Sequence, residues 1–198
     1  GKVLDTQHHR AMPPGHIVRY GHGRQWVARG NELLWSPALR YGLWSPATAR
    51  LRFGAEIHMV EPIGDGGPGA GVFVAAGDRT YWLNGAAPEG FAQRIAHPVG
   101  VIPGSSAVTR GSVWGLETTE NVVAWLASTG VFCVGAPGGA VTRFKDGEAV
   151  TDVGERAATL FREVNGVRQM VTALQGQTAP PSFRVSDRAV VRTLRYDE

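Results

Sequence analysis

Four times along this chain a short run of strand-forming residues breaks at a glycine-centred turn and resumes at once as another such run. Residues 16–20 and 24–29 flank a turn at 21–23, and 32–35 follows Gly30 and Asn31. Residues 57–60, 72–76 and 80–83 are divided by the glycine-rich stretch 64–71 and by Gly77 and Asp78. The runs 122–126, 131–134 and 140–144 are divided at 128–130 and 135–139, and 159–162 turns at Asn165 and Gly166 into 167–174. Glycine and asparagine supply the left-handed backbone that tight hairpin turns need, so each group predicts an antiparallel meander. Within 24–29 the strand period puts Trp26 and Ala28 on one face and Gln25, Val27 and Arg29 on the other. The stretch 154–164 suits either a helix or a strand by its apolar spacing; Asn165 and Gly166 favour a strand from Thr159.

A meander of three or four short strands cannot bury both of its faces alone. Stacking such units radially, as propeller blades, is one solution; a β-sandwich built from the same meanders is the alternative. The anchor glycines Gly23, Gly71 and Gly130 stand at unequal intervals, which makes these irregular copies and not a tight repeat. The fold expected is therefore all-β, with antiparallel meander units arranged as propeller-like blades over 16–198. Residues 1–15, polar and carrying His8, His9, Pro13 and Pro14 without a strand or helix period, read as an extended arm or linker.

Composition narrows the function classes. With 27 glycines and 12 prolines in 198 residues, a helical bundle is excluded, because each of these residues marks a turn or a break. Hydrophobic residues make up 43%, enough to bury roughly 70% of the unfolded surface. The longest apolar runs, such as 122–126, fall far short of the roughly 20 residues of a membrane helix. Residues 3–14 show neither the apolar core nor the cleavage pattern of a signal peptide. The formal charge is +3, but the cations are arginines apart from Lys2 and Lys145 and are dispersed, whereas a nucleic-acid footprint is a cluster or stripe.

The residues that carry chemistry elsewhere lack their partners here. His8, His9, His16 and His22 have no carboxylates at ligand spacing and no helical frame, so no metal is expected. Cys133, the single cysteine, can make no intrachain disulfide; between Phe132 and Val134 it reads as a small hydrophobe in a buried strand. Ser105 and Ser106 follow Gly104 without the Gly-x-Ser-x-Gly elbow of acyl-transfer enzymes. The glycine-rich stretches 64–71 and 135–139 are followed by strands, where a phosphate loop is followed by a helix, and read as blade loops. Asp65, Asp78, Glu56, Glu61 and Glu89 are the acidic residues from which a glycosidic pair would have to come, and nothing in their spacing selects two. Trp26, Trp82 and Trp125 fall inside strands and read as core. Trp35, Trp44 and Trp114 lie at strand ends or in loops, where tryptophan commonly anchors a contact, and the segments Leu34-Trp35-Ser36-Pro37 and Leu43-Trp44-Ser45-Pro46 repeat one another.

Several stretches together carry a resemblance: Pro13-Pro14-Gly15, Tyr20-Gly21-His22-Gly23-Arg24, Val27-Ala28-Arg29-Gly30-Asn31, Leu34-Trp35-Ser36, Arg40-Tyr41-Gly42-Leu43-Trp44, Gly71-Val72-Phe73-Val74, Tyr81-Trp82-Leu83-Asn84-Gly85, the run from Ala124 to Val131, and Gly138-Gly139-Ala140-Val141. From about Pro13 to Leu174 the chain resembles the carboxy-terminal half of propeller-like virion proteins of tailed bacteriophages, most of all nozzle or distal tail-tube proteins. The resemblance implies a structural subunit in the virion tail, with an upstream half completing the ring. It implies a symmetric homo-oligomer, usually six copies, around the DNA-ejection channel, with DNA only as passing cargo. Adaptor proteins and fibres or spikes would attach nearby. It implies no catalytic residue, no cofactor and no metal. Trp35, Arg40, Trp44 and Arg50 are the residues expected to contact neighbouring subunits or fibres. The mildly basic balance departs from the acidic wall that such a channel often presents. The alternative from another class is a carbohydrate-binding or glycan-cleaving propeller of a bacterial surface protein.

Overall fold

The computed structural model describes residues 8–64, 66–85, 87–144, 149–150, 152–165, 167–176 and 189–196, with 89, 164, 167 and 189–196 as backbone only. Among them there is no α-helix, and no helix is long and apolar enough to cross a membrane. Strand β1 (Arg10–Ala11) leads into a first sheet of β2 (Ile17–Gly21), β3 (Arg24–Arg29) and β4 (Glu32–Trp35); β5 (Leu43–Trp44) pairs back with β1, and β6 (Arg50–Arg52) completes the sheet beside β4. The second sheet is β7 (Ile57–Ile63), β8 (Gly71–Ala76), β9 (Arg79–Asn84) and β10 (Ala92–His97). The third is β11 (Ala107–Arg110), β12 (Asn121–Leu126), β13 (Phe132–Gly135) and β14 (Val141–Phe144). The fourth holds β15 (Arg156–Val164), β16 (Val167–Gln175) and β17 (Ala189–Tyr196). Every pairing is antiparallel, and apart from β1 with β5 and β4 with β6 each joins strands consecutive in the chain, so the chain is all-β and built of successive meanders.

The turn chemistry explains the first hairpin. His22 and Gly23 both take positive φ, 52° and 66°, the backbone of a two-residue turn whose twist suits the flanking strands β2 and β3. His22 is thus a left-handed residue that is not glycine, and its side chain is held across the seam to the next sheet, as described below. The ambiguous stretch before Asn165 is strand, and Asn165 takes φ 53° at its turn.

The sheets stack in order, and alternation along each strand serves two interfaces. Trp26, Ala28, Leu33 and Trp35 of the first sheet pack with Ile57, Val60, Val72, Val74 and Leu83 of the second. From the opposite face of the second sheet, Met59, Phe73, Ala75 and Trp82 pack with Val123, Trp125 and Cys133 of the third. Val122, Ala124, Leu126 and Val134 then pack on Met170 and Leu174 of the fourth. Strand β8 is consequently buried at all six positions, with Val72, Val74 and Ala76 directed to one neighbour and Phe73 and Ala75 to the other. Burying a large apolar side chain contributes about 1.5–3 kcal/mol, so these three cores, not the short turns, hold the sheets together. Gly135 sets the spacing between the second and third sheets: a Cβ there would lie 2.6 Å from the Phe73 ring and 2.8 Å from Trp125.

Strand β2 lies beside β7, β7 beside β12 and β11 beside β15, an arrangement compatible with propeller-like blades or with a sandwich. At the start of the stack the chain folds over the free face of the first sheet. Met12 N–H donates to Gly42 O at 2.7 Å, and Gly15 lies so close to β3 that a Cβ there would fall 2.5 Å from Val27.

Candidate functional site

The first strands converge on one cleft. Residues 16–19 of the first sheet, 56–59 of the second, Pro103, Gly104 and Ser106 before β11, and Arg156 and Ala157 of the fourth all line a cavity of about 460 Å³. Four successive sheets therefore present their leading residues to a single concave surface.

Strand β2 is tied to β7 by side chains in place of a backbone ladder. Ile17 and Arg19 alternate toward the second sheet, while Val18 and Tyr20 point outward and are exposed. Arg19 Nε donates to Glu61 Oε1 and Oε2 at 3.0 and 3.1 Å, and its Nη2 lies 3.0 Å from Oε1. His16 Nε2 lies 2.7 Å from Ile57 O at one end of the strand, and His22 Nε2 lies 2.8 Å from Gly64 O at the other. A carbonyl oxygen only accepts, so each ring carries its proton on Nε2 for these contacts.

Glu61 is the node of this seam. It is 3% exposed on β7, takes the guanidinium of Arg19 from the first sheet, and accepts a hydrogen bond from Ser106 Oγ at 2.7 Å on the approach to the third. A buried carboxylate is tolerated only when paired and hydrogen-bonded, and here both oxygens are engaged. Its lone pairs are committed to structure, so Glu61 is a clasp and not a free acid or base. Glu56, by contrast, is exposed at the cleft, with its Oε1 4.0 Å from His16 Nε2.

The other residues singled out by sequence disperse. Asp78 is exposed and lies 3.8 Å from Arg79; Asp65 and the side chain of Glu89 lie outside the described residues. Among the described residues no three His, Cys, Asp or Glu side chains gather at metal-binding distance. Cys133 is fully buried in β13. Ser105 is buried too, its Oγ taking the Leu126 N–H at 3.1 Å. The two glycine-rich loops meet each other: Gly138 N–H donates to Gly69 O at 2.8 Å, and Arg94 donates to Gly138 O. Their backbone groups are spent on joining the second and third sheets.

Trp35, Arg40, Trp44 and Arg50 all lie in the first sheet or in the chain between β4 and β6. Trp35 is 6% exposed and packs against Trp26 and Phe91 inside the first core. Trp44 is half-buried against the same core, its Nε1 donating to Ala49 O at 2.8 Å. Arg40 is half-buried, and Arg50 is exposed on the edge strand β6. Trp26, Trp82 and Trp125 are fully buried, and Trp114, 8% exposed, caps the third core.

Reading the sequence did not assemble Arg19, Glu61 and Ser106, nor place His58 and Arg156 with them. Glu61 lies 42 residues from Arg19 and 45 from Ser106, and no local spacing marks either partner. Compared with protein-family models and with curated proteins, the chain gives no match to either.

Proposed function

We propose that this chain is a non-catalytic structural subunit of a tailed-bacteriophage virion, of the nozzle or tail-tube type, that joins other copies in a ring around the DNA-ejection channel and offers a platform to fibres or spikes. The observation that carries the reading is the arc: four stacked sheets gather their first strands along one concave surface. Every sheet meanwhile keeps an exposed apolar side chain, Val18 and Tyr20 on the first, Ile95 on the second, Val108 on the third and Leu160 on the fourth. Apolar side chains left in water along the stack suit association with further protein surface. The commitment of Glu61, Cys133 and Ser105 to packing and hydrogen bonds supports a scaffold role. The sequence resemblance supplies the virion tail as its setting.

Mass spectrometry of purified virions followed by electron microscopy of the tail tests this. The chain is expected in the particle as a closed ring; its recovery only as a monomer outside particles would overturn the proposal. In the ring, Arg40→Ala with Trp44→Ala is expected to reduce tail incorporation. Unchanged incorporation would remove those two residues from the subunit contact.

A further inference from the structure

Of the two arginines that line the cleft, Arg19 is spent on Glu61 and Arg156 makes no ion pair among the described residues, while His16 lies beside Glu56. His58, half-buried on β7, lines the same cavity and makes no side-chain hydrogen bond among the described residues. The unspent groups are thus one guanidinium, one imidazole that can donate or accept, and the exposed carboxylate of Glu56. Val18, Met59 and Pro103 add apolar surface between them. A cavity of about 460 Å³ is within the usual range for a small-ligand site.

We propose that this cleft binds a carboxylated sugar of the uronic-acid class. A guanidinium fork matches a single carboxylate in bidentate geometry, while Glu56 and His58 supply the acceptor and donor that ring hydroxyls require. The described lining contains no Trp, Tyr or Phe, so it lacks the broad stacking platform that a neutral sugar usually rests on, and charge must carry much of the recognition. A phosphate dianion suits the cleft less well, because Glu56 faces the same space. The ligand contacts Arg156 of the fourth sheet and Glu56 and His58 of the second, so binding would also bridge the two sides of the arc. This inference does not depend on the assembly proposed above and is tested on the isolated chain.

The experiment is an NMR chemical-shift titration of the full 198-residue chain with D-glucuronate, D-glucose, acetate and inorganic phosphate in turn. Glucuronate is expected to move the amide signals around Glu56, His58 and Arg156, and to bind at least about tenfold more tightly than glucose or acetate. Arg156→Gln should lower glucuronate affinity to that of glucose, and Arg156→Lys should keep part of it, both without a change in melting temperature, since residue 156 is exposed. Glu56→Gln removes a hydroxyl acceptor and a like charge together, so it should narrow the preference for glucuronate over acetate. Equal binding of glucose and glucuronate, acetate or phosphate binding as tightly as glucuronate, or wild-type affinity in Arg156→Gln would each overturn the proposal.

Discussion

Arg19 and Glu61 face each other across the seam between the first two sheets, the guanidinium Nε 3.0 and 3.1 Å from the two carboxylate oxygens. One partner is 42% exposed and the other 4%, so the pair is half in water and half in the protein. That asymmetry decides what mutation does. The arginine can return to solvent, whereas the glutamate cannot.

Arg19→Ala leaves a buried carboxylate with only Ser106 as a donor and is expected to cost about 2 kcal/mol, discounted from a fully buried pair because Arg19 is partly solvated. Replacing both residues, Arg19→Leu with Glu61→Leu, should recover most of that loss, because no charge is left unpaired. Urea denaturation of the wild type, both single variants and the double variant measures the coupling; strict additivity would contradict a clasp.

Glu32 and Arg52 pair across β4 and β6, with Arg52 Nε donating to Glu32 Oε1 at 2.7 Å. That hydrogen bond, more than the nearby positive charges, holds the Glu32 carboxyl below its ordinary value. A lowered folded pKa adds stability that is present above the unfolded value, about 4.3 for glutamate, and is lost as pH falls through the folded value. Melting temperature followed from pH 6 downward should therefore drop less steeply in Glu32→Gln than in the wild type. Parallel acid limbs would show that the pair does not contribute.

Gly135→Ala places a methyl group against Phe73 and Trp125 at a close approach within the core between the second and third sheets. Overpacking of this kind costs about 1–3 kcal/mol, and thermal unfolding should show a lowered midpoint. Ala at Gly30, where the added carbon meets nothing within 4 Å, should lose less, and only through its positive φ of 57°.

Trp82→Ala empties a fully buried site among Phe73 and the second core, with an expected cost of about 3–5 kcal/mol. Trp44→Ala removes a half-buried ring and one hydrogen bond, so it should cost clearly less and leave the chain folded. Far-UV circular dichroism with chemical denaturation separates the two; equal losses would mean that β5, which carries Trp44, is as much core as β9.

Alternation and turns made most of the strands legible, the edge strands β2, β7, β14 and β15 as well as the central ones. β3, β4, β8, β9, β12 and β13 combine apolar alternation or continuous burial with glycine turns, and Trp26, Trp82 and Trp125 were readable as core because those strands are covered on both sides. β6, β10 and β11 were not expected. Arg50–Arg52 and Ala92–His97 pair on one side only and are largely exposed, so neither needs an apolar period, and their strand state comes from the neighbour that pairs with them.

By itself, then, the sequence determined the all-β class, the meander units and the faces that must be buried, since period-two alternation and left-handed turn residues are local properties. Only tertiary structure decided that Arg19, Glu61 and Ser106 meet at one seam, and that Glu56, His58 and Arg156 share one cleft. Arg19 and Ser106 come to Glu61 from the first sheet and from the approach to the third, and Arg156 comes to Glu56 and His58 from the fourth. Their approach depends on how the buried faces stack, and hydrophobic burial drives that stacking without leaving any mark in the spacing of the polar residues it brings together.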